Sequence, residues 1–329
     1  MQKITRDLLA DKAISLLSDG TVTRVLGWKR GEFDYDVTPA LFESADEIAK
    51  DFVFGDFCGA NFSKYLVKEA VKEGKVLVFL KPCDSFSFNQ LLTEHRFIRE
   101  NVYAVGIPCE GMLDLKLLSD KAENISKVED LGDTVKIKTL YDGTVEVSRD
   151  ELLPDRCKNC RTKKHVAYDE LIGDEGEVLD SKRFDEVEKL EKMSAEERYA
   201  FWQNELSRCI RCNACRNVCP ACTCEKCVFD NPASGVENKA AANSFEEKLF
   251  HIIRAFHVAG RCTDCGECSR VCPQSIPLHL LNRKFIKDIN SLYGEYQAGE
   301  EVGTRAPIVN YSLDDPEPSE AVERGGDDA

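Results

Sequence analysis

The chain has 329 residues, of which 16 are cysteine, and its formal net charge is −15. This acidic balance excludes a nucleic-acid-binding protein, which needs a basic surface. The sequence shows neither an apolar signal segment after Met1 nor an apolar run of membrane-spanning length, so the cysteines are not expected to form the disulfides of a secreted protein. We therefore expect a cytoplasmic protein, not inserted in a membrane, whose thiolates bind metal.

Residues 1–180 predict an α/β domain with a mainly parallel sheet. The segment 1–19 has the apolar spacing of an amphipathic helix. The runs 75–80 and 101–107 are continuously apolar, as buried parallel strands are, and a helix-like segment, 85–100, separates them. This order is that of a β-α-β unit.

Each of these two strands runs into a Pro-Cys corner, at Cys83 and at Cys109. Because ligands of parallel sheets lie at the carboxyl ends of the strands, both thiols are candidate metal ligands at one edge. The alternative is that each is a small buried hydrophobic side chain, as a free cysteine commonly is. A hairpin at 134–148 follows, and then the pair Cys157 and Cys160, which completes a set of four thiolates.

The two strand-Pro-Cys corners, the C-x2-C pair and Gly173-Asp174 resemble the core of the beta subunits of coenzyme F420-reducing hydrogenases and formate dehydrogenases. The resemblance covers roughly residues 15–180. It implies a [4Fe-4S] cluster beside FAD, in a subunit that passes electrons between a catalytic partner and a soluble carrier. FAD would bind within 1–180. The ligands of this third cluster, carried over residue by residue, would be Cys83, Cys109, Cys157 and Cys160.

Two copies of the spacing C-x2-C-x2-C-x3-C-P begin at Cys209 and Cys262, after a charged segment, 185–198, that predicts one linker helix. In the bacterial ferredoxin run with this spacing, three cysteines bind one [4Fe-4S] cluster and the fourth binds the other cluster. Zinc is the alternative, although zinc sites usually combine two separated pairs. The predicted ligand sets are Cys209, Cys212, Cys215 and Cys272 for the first cluster, and Cys262, Cys265, Cys268 and Cys219 for the second.

Helical patterns at 244–257 and 277–289 flank the second copy, so the predicted ferredoxin domain, 181–299, is helical. It resembles the helical ferredoxin domains of heterodisulfide reductase and succinate dehydrogenase iron–sulfur subunits. Residues 300–329 hold nine acidic and two basic side chains and predict a disordered tail. Four other cysteines either bind a further cluster or zinc, or pack as thiols: Cys58, Cys222, Cys224 and Cys227.

The function predicted from these patterns is that of an iron–sulfur electron-transfer subunit of a cytosolic anaerobic oxidoreductase complex. The sequence shows no acid–base or nucleophilic constellation, so the substrate would react in a partner such as a formate dehydrogenase, a hydrogenase or a heterodisulfide-reductase-like flavoprotein. The alternative is an FAD-containing oxidoreductase that itself exchanges hydride with coenzyme F420 or a nicotinamide. A third interpretation is an assembly or zinc-scaffold protein.

Overall fold

The structure is a computed structural model that describes residues 4–231 and 244–310, with the backbone alone for 244–247. The helices are α1 (Arg6–Ser18), α2 (Ala45–Asp51), α3 (Ser63–Glu69), α4 (Pro82–Thr93), α5 (Leu115–Ser119), α6 (Asp155–Lys158), α7 (Asp185–Lys192), α8 (Ala195–Ser207), α9 (Ala214–Asn217), α10 (Ser244–His257), α11 (Glu267–Arg270) and α12 (Leu278–Tyr293). The strands are β1 (Arg24–Arg30), β2 (Val37–Phe42), β3 (Phe52–Val53), β4 (Val76–Leu80), β5 (Val102–Gly106), β6 (Ile125–Asp130), β7 (Thr134–Thr139), β8 (Thr144–Ser148) and β9 (Glu170–Leu171). Within the described ranges, no helix is both long and apolar enough to cross a membrane.

The N-terminal region is built on a mixed, mainly parallel sheet in the order β2-β1-β4-β5-β9. Strand β4 pairs in parallel with β1 and β5, and β5 pairs in parallel with β9. The strands β2 and β3 pair with β1 in the antiparallel direction. Every side chain of β4 is buried, as its apolar sequence predicts. The predicted pair of parallel strands separated by a helix is confirmed.

The carboxyl ends of β4 and β5 place two cysteines at the same edge of this sheet. Strand β4 leads through Lys81 directly into α4, whose first residue is proline, the residue favoured at the first position of a helix. The carboxylate of Asp84 accepts a hydrogen bond from the Lys81 amide at 3.2 Å and lies 2.7 Å from its ammonium nitrogen. Cys83 is thereby fixed in the first turn of α4. Cys109 comes directly after Pro108, beyond the end of β5, and lines the same cavity as Cys83 at this edge.

The predicted hairpin is part of a second, three-stranded antiparallel sheet with the order β6-β7-β8. Its first strand, β6, was not predicted from the sequence. Only half-buried and exposed side chains occur along β6, so its apolar alternation is too weak to indicate a strand. Strand β6 is stabilised instead by pairing with β7, whose Val135 and Ile137 side chains are buried.

The charged segment 185–198 is two helices, so the prediction of one linker helix was wrong. Helix α7 ends at Lys192 and α8 begins at Ala195. Between them Ser194 caps α8: its hydroxyl accepts a hydrogen bond from the Glu197 amide, and the Glu197 carboxylate accepts one from the Ser194 amide. This reciprocal capping box starts a new helix where the charge pattern alone suggests continuity.

The two ferredoxin motifs fold in the same way, on the short helices α9 and α11. Each helix follows a left-handed residue, Asn213 with φ of 62° and Gly266 with φ of 66°. Two positions earlier, Arg211 and Asp264 are also left-handed, with φ of 53° and 60°. Matching turns at equivalent positions show that one backbone conformation is used twice. The predicted helical dicluster region is confirmed, with α10 and α12 as its long helices.

Residues 300–310 are part of the folded molecule, so the prediction of a disordered tail was wrong for them. Ala306 is buried, and Gly260 leaves the space that the side chains of Ala306 and Ile308 occupy. The Glu300 carboxylate also contacts Arg161 at 3.2 Å. Packing against the dicluster region overrides the local acidic and proline-containing composition. The rest of that prediction, 311–329, lies outside the described residues.

The connection into this segment gives a first testable prediction, at Gly299. Its φ is +78°, and a Cβ atom there would lie 1.9 Å from the Phe86 carbonyl oxygen. We expect Gly299→Ala to destabilise the fold by about 3 kcal/mol or more, because the clash adds to the strain of a left-handed alanine. The denaturant midpoint of anaerobically purified protein measures the loss.

Gly303→Ala is the matched control. Gly303 also has a positive φ, +89°, but a Cβ atom there has open space around it. Only the backbone strain of about 1–2 kcal/mol should remain in this variant. Equal midpoints for the two variants would contradict the close approach of Gly299 to α4.

Candidate metal centres

Four cysteines from both ferredoxin motifs line one small cavity, whose wall includes Phe250 and His251 of α10. The His251 Nε2 atom lies 3.2 Å from the Cys209 sulfur, and the Arg211 amide donates to the same sulfur at 3.4 Å. Burial, with the charges of Arg254 and Arg211, lowers the pKa of His251 to about 3, so its ring is neutral. The cavity cysteines are those of the predicted first set: Cys209, Cys212, Cys215 and Cys272.

The other four motif cysteines also lie near one another. Burial raises the pKa of Cys262, Cys265 and Cys268, and the sulfur of Cys219 raises each of them further. Cys219 is therefore within electrostatic reach of all three, although it belongs to the first motif. These are the residues of the predicted second set.

A third cavity lies at the carboxyl edge of the parallel sheet, and the predicted third set lines it: Cys83, Cys109, Cys157 and Cys160. The Gly111 amide donates a hydrogen bond to the Cys109 sulfur at 3.4 Å, and the Lys163 ammonium donates to the Cys109 carbonyl at 2.7 Å. Cys265 of the second set lines the same cavity. The second and third sets are thus neighbours across the contact between the two regions.

A salt-bridged junction joins these regions around Glu267, which is fully buried. The Arg156 guanidinium donates to Glu267 at 2.6 Å, to the Cys265 carbonyl at 2.9 Å and to the Gly59 carbonyl at 3.0 Å. Arg270 also donates to Glu267, at 2.7 Å. Burial alone would raise the pKa of Glu267, but Arg156 and Arg270 lower it to about 2. The carboxylate is therefore charged and fixed between the second and third sets.

A buried guanidinium, Arg254, lies between the first and second sets. Its side chain is 3% exposed and donates to the Cys215 carbonyl at 3.1 Å. The thiols of Cys215, Cys219 and Cys268 all raise its pKa, against the opposing effect of burial. Among the described residues, no carboxylate forms an ion pair with Arg254, which is unusual because a buried charge is costly unless it is paired.

The residues at these sites fit iron–sulfur clusters. The Nε atoms of Arg156 and Arg254 are buried and have no hydrogen-bond partner among the described residues. A cluster would offer sulfide and thiolate acceptors to these two N–H groups, and its negative charge would compensate that of Arg254. The amides that donate to the Cys209 and Cys109 sulfurs are donors of the kind that would tune the potential of a bound cluster.

The four cysteines without a predicted role fall into two groups. Cys58 is 1% exposed within the N-terminal core, and burial raises its pKa to about 12. Its environment is that of a packed thiol. Cys222, Cys224 and Cys227 instead line a single cleft beside the second set.

The fold and these cysteine sets define an iron–sulfur protein with a helical dicluster domain. Residues 205–276 match the family model described as a 4Fe-4S dicluster domain, which supports two [4Fe-4S] clusters in this region. The match spans both ferredoxin motifs and α10 between them.

Two curated relatives match most of the chain. The F420-dependent formate dehydrogenase subunit beta of Methanocaldococcus jannaschii is 25% identical over 332 aligned positions, covering 83% of this chain and 86% of the relative. The F420-dependent formate dehydrogenase 1 subunit beta of Methanococcus maripaludis is 24% identical, covering 65% and 71%. The chain is thus similar to the beta subunits of F420-dependent formate dehydrogenases, and the resemblance to such subunits seen in its sequence is confirmed. A solved structure of the F420-reducing [NiFe] hydrogenase complex from Methanosarcina barkeri aligns with 62% of this chain and 86% of the matched chain, at a TM-score of 0.36 and 11% identity.

Sequence reasoning missed the charged groups between the cysteine sets. Arg254 and Glu267 look like ordinary surface residues of amphipathic helices, because charged side chains are rarely fully buried. Arg156 could have been found from the sequence, because it directly precedes the candidate ligand Cys157. Its contacts with Glu267 and Cys265 come from a distant segment, which local patterns do not indicate.

Proposed function

We propose that the protein is an electron-relay subunit of an anaerobic oxidoreductase complex of the F420-dependent formate dehydrogenase or hydrogenase kind. The observation that carries this proposal is the continuity of the three cysteine sets. Cys265 of the second set lines the cavity of the third, and the Arg254 guanidinium lies beside cysteines of both the first and second sets. Clusters bound in this order would form one path for electrons.

The cations next to the cysteine sets would favour the transfer of electrons onto the clusters. A [4Fe-4S] cluster gains one electron on reduction and becomes more negative, so fixed cations nearby stabilise the reduced form. Arg254 would supply this charge between the first and second sets, and Arg156 between the second and third. Both guanidinium groups are buried, so water screens their charges weakly.

The path has two ends from which partners could be reached. At the first set, Cys212 is exposed. At the third set, Cys109, Gly111 and Met112 line both the cluster cavity and a second, larger cleft. A relay needs such access at both ends, because electrons must enter from one partner and leave to another.

The larger cleft favours a second candidate function, an FAD-containing oxidoreductase that itself exchanges hydride with coenzyme F420 or a nicotinamide. The cleft has a volume of about 970 Å³, and Arg6 and Arg149 are among its lining residues. Cofactor pockets commonly have volumes of roughly 300–1,000 Å³. A flavin bound there would lie next to Cys109. FAD in this cleft would join two-electron hydride chemistry to the one-electron path.

Reduction of the clusters by the substrate of the partner tests the relay. The complex would be isolated without oxygen from its native cells through a tag on this chain, and formate or hydrogen added. We expect electron paramagnetic resonance signals of reduced clusters to appear with one of these donors. Clusters that stay oxidised with both donors, although dithionite reduces them, would contradict the proposal.

Metal and flavin analysis of the same sample separates the alternatives. About one flavin per chain would favour the hydride-exchanging enzyme, and its absence would favour the simple relay. Zinc in place of iron would overturn both and leave the zinc-scaffold interpretation.

A further inference from the structure

The cleft between α3 and the dicluster region contains three cysteines to which neither ferredoxin motif nor the third set gives a role. Cys222, Cys224 and Cys227 all line it. They follow Cys219 in the sequence as Cys219-Pro-Ala-Cys222-Thr-Cys224-Glu-Lys-Cys227. Cys222 packs against the buried hydrophobic cluster that contains Cys219, so the cleft adjoins the second set.

Each of these three sulfurs lies near a cation that is held in place. The Arg216 guanidinium lies near the Cys227 sulfur and pairs with Asp230 at 2.8 Å. Arg261 interacts with Cys222 and Cys224, and two hydrogen bonds, at 2.8 and 2.6 Å, fix it to Glu94.

Lys64 provides a further cation, from the α/β side of the cleft. Its ammonium group donates to the Cys222 carbonyl and interacts with the Cys222 and Cys224 sulfurs. Thr223, between these two cysteines, donates to Glu94 at 3.1 Å, so the Glu94 carboxylate holds both Arg261 and the cysteine loop. Nearby cations do not stabilise neutral thiols. They do stabilise thiolates, and also the negatively charged metal centres that thiolates bind.

The number and position of these thiols favour a cluster over a single zinc ion. A closed structural zinc site takes four ligands, and the three cysteines are one short of that number. They directly follow Cys219, in a segment that matches a 4Fe-4S dicluster domain, so iron–sulfur chemistry is already supported in this part of the chain.

We propose that Cys222, Cys224 and Cys227 bind a further [4Fe-4S] cluster beside the second one, as a side branch of the electron path. Three thiolates would bind three of the four irons. The fourth iron would then bind water or another non-cysteine ligand in the cleft. The branching role rests on the proposed relay, whereas the presence of the cluster does not. Contact between Cys219 and Cys222 would keep the two clusters within easy electron-transfer range.

Iron analysis of Cys224→Ala tests the proposal. Cys224 is exposed, so its removal should leave the packing of the core intact. We expect iron to fall from about sixteen to about twelve atoms per chain, one four-iron cluster, with acid-labile sulfide falling in parallel. Cys58→Ala, at a thiol buried away from the cleft, is the control and should keep the wild-type iron content. Unchanged iron in Cys224→Ala, or loss of zinc instead of iron, would overturn the proposal.

A chemical measurement on the wild-type protein gives an answer independent of any variant. An exposed free thiol reacts rapidly with iodoacetamide, whereas a thiolate bound to iron is protected. We expect Cys224 to remain unmodified in the native holoprotein and to be modified after unfolding with a chelator, as read by peptide mass spectrometry. Rapid modification of Cys224 in the native holoprotein would refute the assignment.

The iron content of the wild-type protein separates this proposal from the relay. About twelve irons, unchanged in Cys224→Ala, would remove the fourth cluster and leave the three-cluster relay standing. Fewer than about eight irons would remove both, because the dicluster domain alone accounts for that number.

Discussion

Replacing Cys83 with serine is expected to remove about four irons per chain while the dicluster signals persist. Cys83 lies in the first turn of α4 and lines the third cavity with Cys109, Cys157 and Cys160. A cluster that loses one of its four thiolates is held weakly. The dicluster ligands belong to other elements, so their iron should remain. Iron analysis and electron paramagnetic resonance of the dithionite-reduced protein measure the change.

Cys58→Ser provides the comparison for this variant. Both residues are thiols of the α/β region, but Cys58 belongs to its apolar core. Cys58→Ser should therefore keep the wild-type iron content even if the buried hydroxyl costs some stability. If Cys83→Ser also keeps all of its iron, Cys83 is a packed thiol and the third cluster must be abandoned. In the complex, loss of this cluster should also stop electrons from passing between the third-set end and the dicluster domain.

Arg254→Met is expected to shift the reduction potentials of both dicluster clusters to more negative values. The guanidinium is buried between cysteines of both sets, and its charge stabilises the extra electron of a reduced cluster. A unit charge about 4–8 Å away contributes on the order of 2–4 kcal/mol at an effective dielectric constant of 20, equivalent to roughly 90–170 mV for one electron. A redox titration followed by electron paramagnetic resonance measures the shift.

Arg208→Met is the matched control, because Arg208 directly precedes Cys209 but is exposed and pairs with Glu205. Water and the carboxylate screen its charge, so its loss should move the potentials by much less. A second variant, Arg254→Lys, retains the charge and should recover part of the shift. Equal shifts in Arg254→Met and Arg208→Met would show that Arg254 has no special influence on the clusters.

The features that the sequence predicts best are those with strong local signals. The short, continuously apolar runs 75–80 and 101–107 predict buried strands. The spacing of the cysteines predicts cluster ligands, because it must match the shape of the cluster. The ferredoxin spacing indicated the two four-cysteine sets, and the Pro-Cys corners indicated that Cys83 and Cys109 lie at one edge. One cavity is lined by the first of these two sets, and another by Cys83 and Cys109.

What the sequence could not predict depends on contacts between distant segments. Ser194 divides the charged segment through two hydrogen bonds that the charge pattern does not indicate. Residues 300–310 are ordered because Gly260 leaves room for Ala306, more than forty positions away in the chain. The burial of Glu267 follows from the way in which the α/β and dicluster regions pack together, and that of Arg254 from the packing of the two ferredoxin motifs. Such information is absent from any window of local sequence.

The junction around Glu267 also bears on how fast electrons could move inside the protein. Two hydrogen bonds from the Arg156 guanidinium, to the Cys265 carbonyl and to the buried Glu267 carboxylate, join the regions that carry the second and third sets. A hinge between these regions would have to expose those charges, which is costly. Transfer between the two clusters would then need no large domain motion and would be insensitive to solvent viscosity. The slow, viscosity-dependent steps of such a complex would be the encounters with its partners.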